Sequence, residues 1–416
     1  MREQYLISVL MVNYNKAGQL RESIESVLGQ TYRRIQFIIV DDGSTDESPE
    51  IIREYAEADE RVEAYLQEEN RKISEVTNFG LRKVRGEYLA RIDSDDLWAP
   101  EKLERQLEFM TARRDCEICF TGADLIDENG QSLNREEADL YGLLNMPEMT
   151  REENLRFFFC HGNHLVHASV MMTSRFMREL GDHNPAYLQI HDFDCWVRAV
   201  KKTHLYKMPQ RYTALRRFRN VQEKNTSART EAATVRYQNE CMILRSHFFD
   251  GMTEELFTSA FREMFRYPEA SSPEELACEK AFLLCGGYRP GGRYQPILGI
   301  FALEELLRNE RTKQVLEEVY NYTPATFYGE MAQHLFLDEF VIRDMEAERQ
   351  QFGREKEDLQ REVERLEADT AEMAAKISAR DGTIQTLQTE LRTITGSRSW
   401  KATAPIRKVL DQIKRK

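Results

Sequence analysis

Apolar positions along the first hundred residues change period several times, and each change marks an element. Tyr5–Val12 is an apolar, β-branched run that predicts a strand. Leu20, Ile24, Val27 and Leu28 then recur at helical spacing. Ile35–Val40 is continuously apolar, the pattern of a strand covered on both faces. Ser44 followed by Glu47 reads as a capping box opening a helix through about Ala58. Val62–Leu66 and Glu87–Ile92 add two more strands, with a helix near Ser74–Val84 between them. This order predicts an α/β fold with a mostly parallel sheet and helices on both faces.

Beyond Asn225 the period becomes helical and stays so to about Phe340, apart from a Gly/Pro-rich interruption at Gly286–Pro296. A heptad pattern follows. Ile342, Val363, Ile377, Ile384 and Leu391 form one series. Met345, Phe352, Leu359, Leu366, Met373, Leu387 and Ile394 form the other, interleaved as a and d positions. Arg349, Lys356, Thr370 and Arg380 interrupt them, and Gly353 and Gly382 weaken the helix. A coiled coil, roughly 80 Å long if helical throughout, is expected, and with it a homodimer. The last stretch sets Ile406, Val409, Leu410 and Ile413 on one helical face among basic residues. The expected organisation is an α/β domain over 1–230, a helical domain over 231–340, a coiled coil over 341–395 and a basic amphipathic tail over 396–416.

In a parallel sheet, ligands bind beyond the carboxyl ends of the strands. Asn13-Tyr14-Asn15 follows the first strand, Asp41-Asp42-Gly43-Ser44 the second, and Asp93-Ser94-Asp95-Asp96 the fourth. All three polar sets therefore fall on one edge. Five carboxylates there repel one another unless a cation or hydrogen-bond donors offset them. Asp93 and Asp95, with one residue between them, suit a hard divalent cation holding a diphosphate. The plainer reading is an acidic loop ahead of a helix, since Pro100 and Glu101 suit a first turn.

Composition narrows the classes. The chain has 416 residues, 41% hydrophobic and 31% charged, with net charge −13, which argues against general nucleic-acid binding. Ser397–Lys416 holds seven Lys/Arg and one Asp, so the tail is +6 and the remainder −19 (−13 − 6). A basic amphipathic end on an acidic body suggests contact with an anionic membrane surface. Seven scattered cysteines include one CxxC, Cys116 and Cys119, in an apolar run where small buried residues fit better than a metal site. His161, His164 and His167 lack the companion ligands of a zinc site. The start of the chain lacks a signal-peptide pattern, and no run of about 20 apolar residues occurs. The expectation is a cytoplasmic protein, peripheral at the inner face of the membrane through its tail.

Four stretches resemble the family 2 glycosyltransferases with a GT-A fold: SVLMVNYNKAGQLRESIESVLGQTY, IQFIIVDDGSTDES, TNFGLRKVRGEYLARIDSDDLWAPEKLERQ and HDFDCWVRAV. The resemblance covers about Tyr5 to Ser227. It implies a nucleoside-diphosphate sugar donor, UDP first among them, and Mn²⁺ or Mg²⁺ as cofactor. Tyr14 would lie against the base, with Asn13 lining the pocket. Asp42 would accept a hydrogen bond from the base, with Asp41 beside it. Asp93 would contact the ribose or the metal, and Asp95 would ligate the metal. Asp192 falls at the general base, with Trp196 and Arg198 on the helix behind it. His167, Ser169 and His191 lie toward the acceptor, expected to be a glycan or lipid-linked glycan of the bacterial surface.

Several positions depart from the family pattern. Thr77 replaces a common Arg near the diphosphate, Lys72 a common Gly, and His191 a frequent acid. Arg216-Arg217-Phe218-Arg219 reads either as a closing basic stretch or as a solvated patch. One carboxylate base and no protein nucleophile imply a single displacement with inversion. A sugar-phosphate nucleotidyltransferase needs a Gly-rich phosphate loop, and VNYNKAGQL offers only Gly18. The alternative kept open is a weakly active or non-catalytic nucleotide-sugar-binding scaffold that recruits glycan enzymes through its coiled coil.

Overall fold

β1 (Ile7–Asn13) and β2 (Ile35–Asp41) are buried at every position, which is why both read as unbroken apolar runs. The structure, a computed structural model, describes residues 4–218, 231–286, 297–333 and 339–414. Around these strands run α1 (Ala17–Leu28), α2 (Ser48–Ala58), β3 (Val62–Leu66), α3 (Lys72–Leu81) and β4 (Tyr88–Asp93). Then follow β5 (Leu97–Trp98), α4 (Lys102–Thr111), β6 (Ile118–Ile126), α5 (Ala138–Leu144) and α6 (Arg151–Cys160). A 3₁₀ turn at His167–Ser169, β7 (Met171–Thr173), α7 (Ser174–Leu180), α8 (His191–Val200) and β8 (Tyr206–Arg216) complete the α/β part.

The sheet order is β3-β2-β1-β4-β7-β6-β8-β5. β3, β2, β1 and β4 are mutually parallel, as expected, and β6 pairs parallel with β8. β7 runs antiparallel to β4 and β6, and β5 antiparallel to β8. Register aligns Asn13 with Asp41 and Val12 with Asp93, so the predicted polar sets do share one edge. One face of the sheet packs on α1, α2 and α4 through Leu20, Ile24, Ile51 and Leu103. The other packs on α3, α6 and α8 through Val76, Leu155, Phe158 and Trp196. Cys116 and Cys119 are free and buried, as their apolar run predicts.

α2 begins at Ser48, later than the Ser44 signal suggests, and Glu47 makes no side-chain cap. Ser44 is instead bound to Asp41, and Asp46 takes over at the start of α2. Its carboxylate accepts from Ser48 N at 3.0 Å and from Ala17 N at 2.9 Å.

The helical region comprises α9 (Glu231–Ser246), α10 (Glu254–Phe261), α11 (Pro273–Leu284), α12 (Ile297–Arg308), α13 (Glu310–Glu318) and α14 (Pro324–Gln333). Its first helices share the core of the α/β part, because Leu244, Phe248, Phe257 and Phe261 join the cluster that holds Phe158, Phe159 and Trp196. Each such fully buried side chain contributes about 1.5–3 kcal/mol relative to exposure. Residues 1–340 accordingly form one compact unit rather than the two expected from the sequence. Residues 287–296, within the interruption seen in the sequence, and Arg219 lie outside the described residues.

A second unit, 341–416, consists of α15 (Glu339–Gly396), α16 (Arg398–Ala402) and α17 (Ala404–Lys414). The heptad residues from Phe352 to Ile394 are 51–68% exposed, an apolar stripe along one helix. Ile342 and Met345 lie outside the residues whose side chains are described. On α17, Ile406, Val409, Leu410 and Ile413 are also more than half exposed. Among the described residues no helix is long and apolar enough to cross a membrane.

Candidate active site

At the end of β1 and β2, Asn13 Nδ2 donates to Asp41 Oδ1 at 2.7 Å, and Ser44 Oγ donates to the same oxygen at 2.6 Å. Ser44 Oγ also accepts from Asn15 N at 2.9 Å, which fixes the turn carrying Tyr14. Tyr14 itself is 45% exposed, a free aromatic face at the crevice edge. Asp42 accepts from Arg71 N at 2.6 Å and from Lys72 N at 3.0 Å, so both its oxygens hold the loop before α3. Burial raises its pKa, and these two amides oppose the rise. Lys72 adopts φ +69°, the left-handed region that glycine occupies without strain. That is the physical content of the sequence departure there.

The strand-four loop is assembled differently. In β4, Leu89, Arg91 and Asp93 alternate onto the face of α3 and α8, while Ala90 and Ile92 face α1 and α4. Asp93 is 38% exposed and has no hydrogen-bond donor among the described residues. Its nearest cations are Arg91 Nη2 at 3.8 Å and, if protonated, His167 Nδ1 at 3.9 Å. Desolvation and the neighbouring Asp95 raise its pKa. Asp95 pairs with Lys16 Nζ at 2.6 Å. Asp96 accepts from Arg216 N at 2.9 Å, and burial with repulsion from Asp95 and Asp93 holds its carboxyl well above the usual range.

Of the five carboxylates, Asp41, Asp42 and Asp96 are offset by hydrogen-bond donors and Asp95 by Lys16. Among the described residues no cluster of three His, Cys, Asp or Glu side chains stands ready for a metal. The chemistry of Asp93 and Asp95 still fits one. They are two hard oxygen donors on one loop, one of them without a hydrogen bond, and a diphosphate and water can complete the coordination.

Across the crevice, Asp192 is the second residue of α8. Its Oδ2 accepts from Asn163 Nδ2 at 3.2 Å and its Oδ1 from Phe193 N at 2.8 Å. Desolvation, with the charge of Asp93, lifts its pKa to about 6. Arg91, 3% exposed, feels the charge of both Asp93, 3.8 Å away, and Asp192. Its Nε donates to His167 Nε2 at 3.3 Å and its Nη2 to Thr77 Oγ1 at 3.4 Å, while Nη1 has no partner. The guanidinium beside Thr77 therefore comes from β4. His167, His191 and His183 cluster beside it, His167 edge-on to His191 and His183 tilted against it, with ring centroids 5.2 and 5.6 Å apart. Burial keeps all three imidazoles neutral, His183 at about 4 and the other two lowered as well. Trp196 lies edge-on to Phe120 and backs the group, while Arg198 pairs with Asp194 at 2.9 Å.

Two sequence readings change here. Ser169 is fully buried, donating to Val166 O at 2.8 Å and accepting from Thr121 N at 3.1 Å, so it supports β6 and does not line the acceptor side. Arg216 is neither a solvated patch nor a closing arm, because its side chain is 1% exposed and lies under the Asp95–Asp96 loop. Arg91 and Asn163 were legible only in part. Arg91 is a lone charge inside an apolar strand, two residues before Asp93 and so on its face.

A family model described as "Glycosyl transferase family 2" matches residues 8–177. An uncharacterized glycosyltransferase of Methanocaldococcus jannaschii is 30% identical over 209 residues, covering 50% of this chain and 69% of that protein. The putative teichuronic acid biosynthesis glycosyltransferase TuaG of Bacillus subtilis is 39% identical over 130 residues, 31% of this chain and 51% of that one. The chain therefore spans about half the length of TuaG. The crystal structure of S. aureus TarS 1-349 in complex with UDP-GlcNAc superposes with a TM-score of 0.50 at 16% identity, over 78% of this chain and 88% of that one.

Proposed function

The chain belongs to glycosyl transferase family 2, and from that premise we propose that it moves a sugar from a nucleoside-diphosphate sugar to a hydroxyl of a bacterial cell-surface glycan, by one in-line displacement with inversion. One observation carries the reading. Asp192, with its pKa lifted to about 6, and the partly exposed Asp93 act on each other and on the same buried Arg91. A base and a phosphate-side carboxylate thus border one crevice. Asp192 takes the proton of the attacking hydroxyl. Asp93 and Asp95 would hold Mn²⁺ or Mg²⁺, which when bound neutralises charge on the leaving diphosphate. Tyr14 offers its face to the base, and Asn13 and Asp41 shape the turn beneath. Asp42 acts chiefly by holding the loop at Arg71 and Lys72. His167 and His191 border the acceptor side as neutral imidazoles.

The name of TuaG supports a surface polymer as acceptor, and the UDP-GlcNAc in the TarS structure makes UDP the first nucleotide to test. Thermal shift with UDP, GDP and dTDP sugars and Mn²⁺ measures donor choice, because a ligand bound only to the folded state raises its apparent stability. Nucleoside diphosphate release on adding a glycan acceptor measures turnover. Asp95→Ala is expected to weaken Mn²⁺-dependent donor binding about tenfold or more, because it leaves Asp93 as the one carboxylate ligand. Wild-type affinity in that variant refutes the metal assignment.

The apolar stripe on α15 supports a parallel homodimer, expected as twice the chain mass by light scattering at micromolar concentration. A monomeric mass refutes it. The exposed apolar face of α17 supports peripheral binding to anionic vesicles. Cosedimentation should be lost when Ser397–Lys416 is deleted, and undiminished binding of the truncated chain refutes that proposal.

A further inference from the structure

The segment that leads into Asp192 is held from two sides. From α3, Asn78 Oδ1 accepts from His183 N at 2.7 Å and Asn78 Nδ2 donates to His183 O at 2.8 Å. Ser74 Oγ donates to Tyr187 O at 2.5 Å. From α9 comes a single side chain, Glu240, 50 positions beyond Ile190 in sequence and 4% exposed. Its Oε1 accepts from Leu188 N at 3.0 Å, and its Oε2 accepts from Gln189 N at 2.9 Å and Ile190 N at 3.1 Å. α8 starts at the next residue and Asp192 is its second.

Three consecutive amides aimed at one buried carboxylate form an obligate arrangement. The carboxylate is costly to bury without donors, and the amides are costly to leave without an acceptor. Charge-assisted hydrogen bonds of this kind are stronger than neutral ones and fix direction as well as distance. The carboxylate also lies just ahead of a helix N-terminus, where the dipole favours negative charge. α9 is itself anchored, because Leu244 near its end and Phe248 just beyond it belong to the core cluster that holds Phe193 and Trp196 of α8.

We propose that Glu240 is a positioning residue for Asp192, and that through it the helical region forms part of the sugar-transfer machinery. The proposal rests on Asp192 being the base. Glu240 touches no substrate in this arrangement. It sets the backbone from which α8 departs, and so the place where the Asp192 carboxylate meets the acceptor hydroxyl. Misplacing a catalytic group by about 1 Å can cost on the order of 100-fold in rate.

Glu240→Gln in the full chain provides the test, since it preserves size but turns an N–H donor toward the loop amides. Turnover should fall about 10- to 100-fold while the dissociation constant for UDP stays near wild type. Glu240→Asp, which keeps the charge, should recover part of the loss. Hydrogen exchange read on the same variants is independent of activity. Residues 188–195 of Glu240→Gln should exchange faster, with β1 and β2 unchanged. Wild-type turnover, or wild-type exchange over 188–195, overturns the proposal. So does a uniform rise in exchange with parallel loss of UDP binding, which is the mark of a purely structural residue. If the wild-type chain transfers no sugar, the functional reading fails, and the exchange experiment still decides whether Glu240 sets this segment.

Discussion

Asp192→Asn is expected to lower turnover by about 10²–10⁴-fold, on the order of 3–5 kcal/mol in the barrier, with the fold and donor affinity retained. Asn is the same size and its one amide oxygen can still accept from Phe193 N, as Asp192 Oδ1 does at 2.8 Å. The bond from Asn163 Nδ2 to Oδ2 at 3.2 Å is lost unless Asn163 turns its own oxygen toward the new NH2 group, and Asn cannot take a proton. Removing a negative charge near Asp93 also lessens repulsion on the phosphate side, so donor binding should hold or tighten. The pH profile gives the sign independently. With the Asp192 pKa lifted to about 6, the base form dominates above that value, and turnover should fall tenfold per unit below it. A divalent ion on Asp93 offsets part of the repulsion that lifts the pKa, so saturating Mn²⁺ should move the midpoint downward. Turnover of Asp192→Asn within twofold of wild type, at matched Tm, ends the assignment of Asp192 as base.

The parallel half of the sheet was legible because β1 and β2 are buried on both faces and their apolar runs are unbroken. Strand ends are legible too, since polar residues begin where burial stops, and that placed Asn13, Asp41 and Asp93 on one edge. β5 and β7, two and three residues long, are too short to carry a period. Local signals also mislead where a side chain has a distant partner. Ser44 resembles a helix cap but is held by Asp41, and Ser169 resembles an acceptor contact but supports the backbone of β6. Glu240 sits among other polar helix residues and acts on amides 50 to 52 positions away, so no sequence pattern announces it. The heptads of α15 were readable as an apolar stripe because their repeat is local.

Arg216→Met should destabilise the first unit by about 3–5 kcal/mol and disorganise the Asp95–Asp96 loop at the same time. The Arg216 side chain ties three separate segments together. Nε donates to Asp95 O at 2.9 Å, and Nη1 donates to Asp127 O at 3.2 Å and Glu128 O at 2.9 Å. Nη2 reaches Glu22 of α1 at 2.7 Å. That last pair contributes little, because Glu22 is 62% exposed and solvent screens it. The cost comes from the three carbonyls, each left short of a donor at roughly 1–3 kcal/mol. For a unit of this size, Tm should drop by about 5 °C. Arg216→Lys should recover only part of this, since one ammonium cannot reproduce a planar fork. The loop carrying Asp95 hangs on the Nε bond, so Mn²⁺-dependent UDP binding should weaken even at temperatures where Arg216→Met is fully folded. A Tm within 1 °C of wild type, or a stability loss with donor binding untouched, shows that the guanidinium does not organise this side of the crevice.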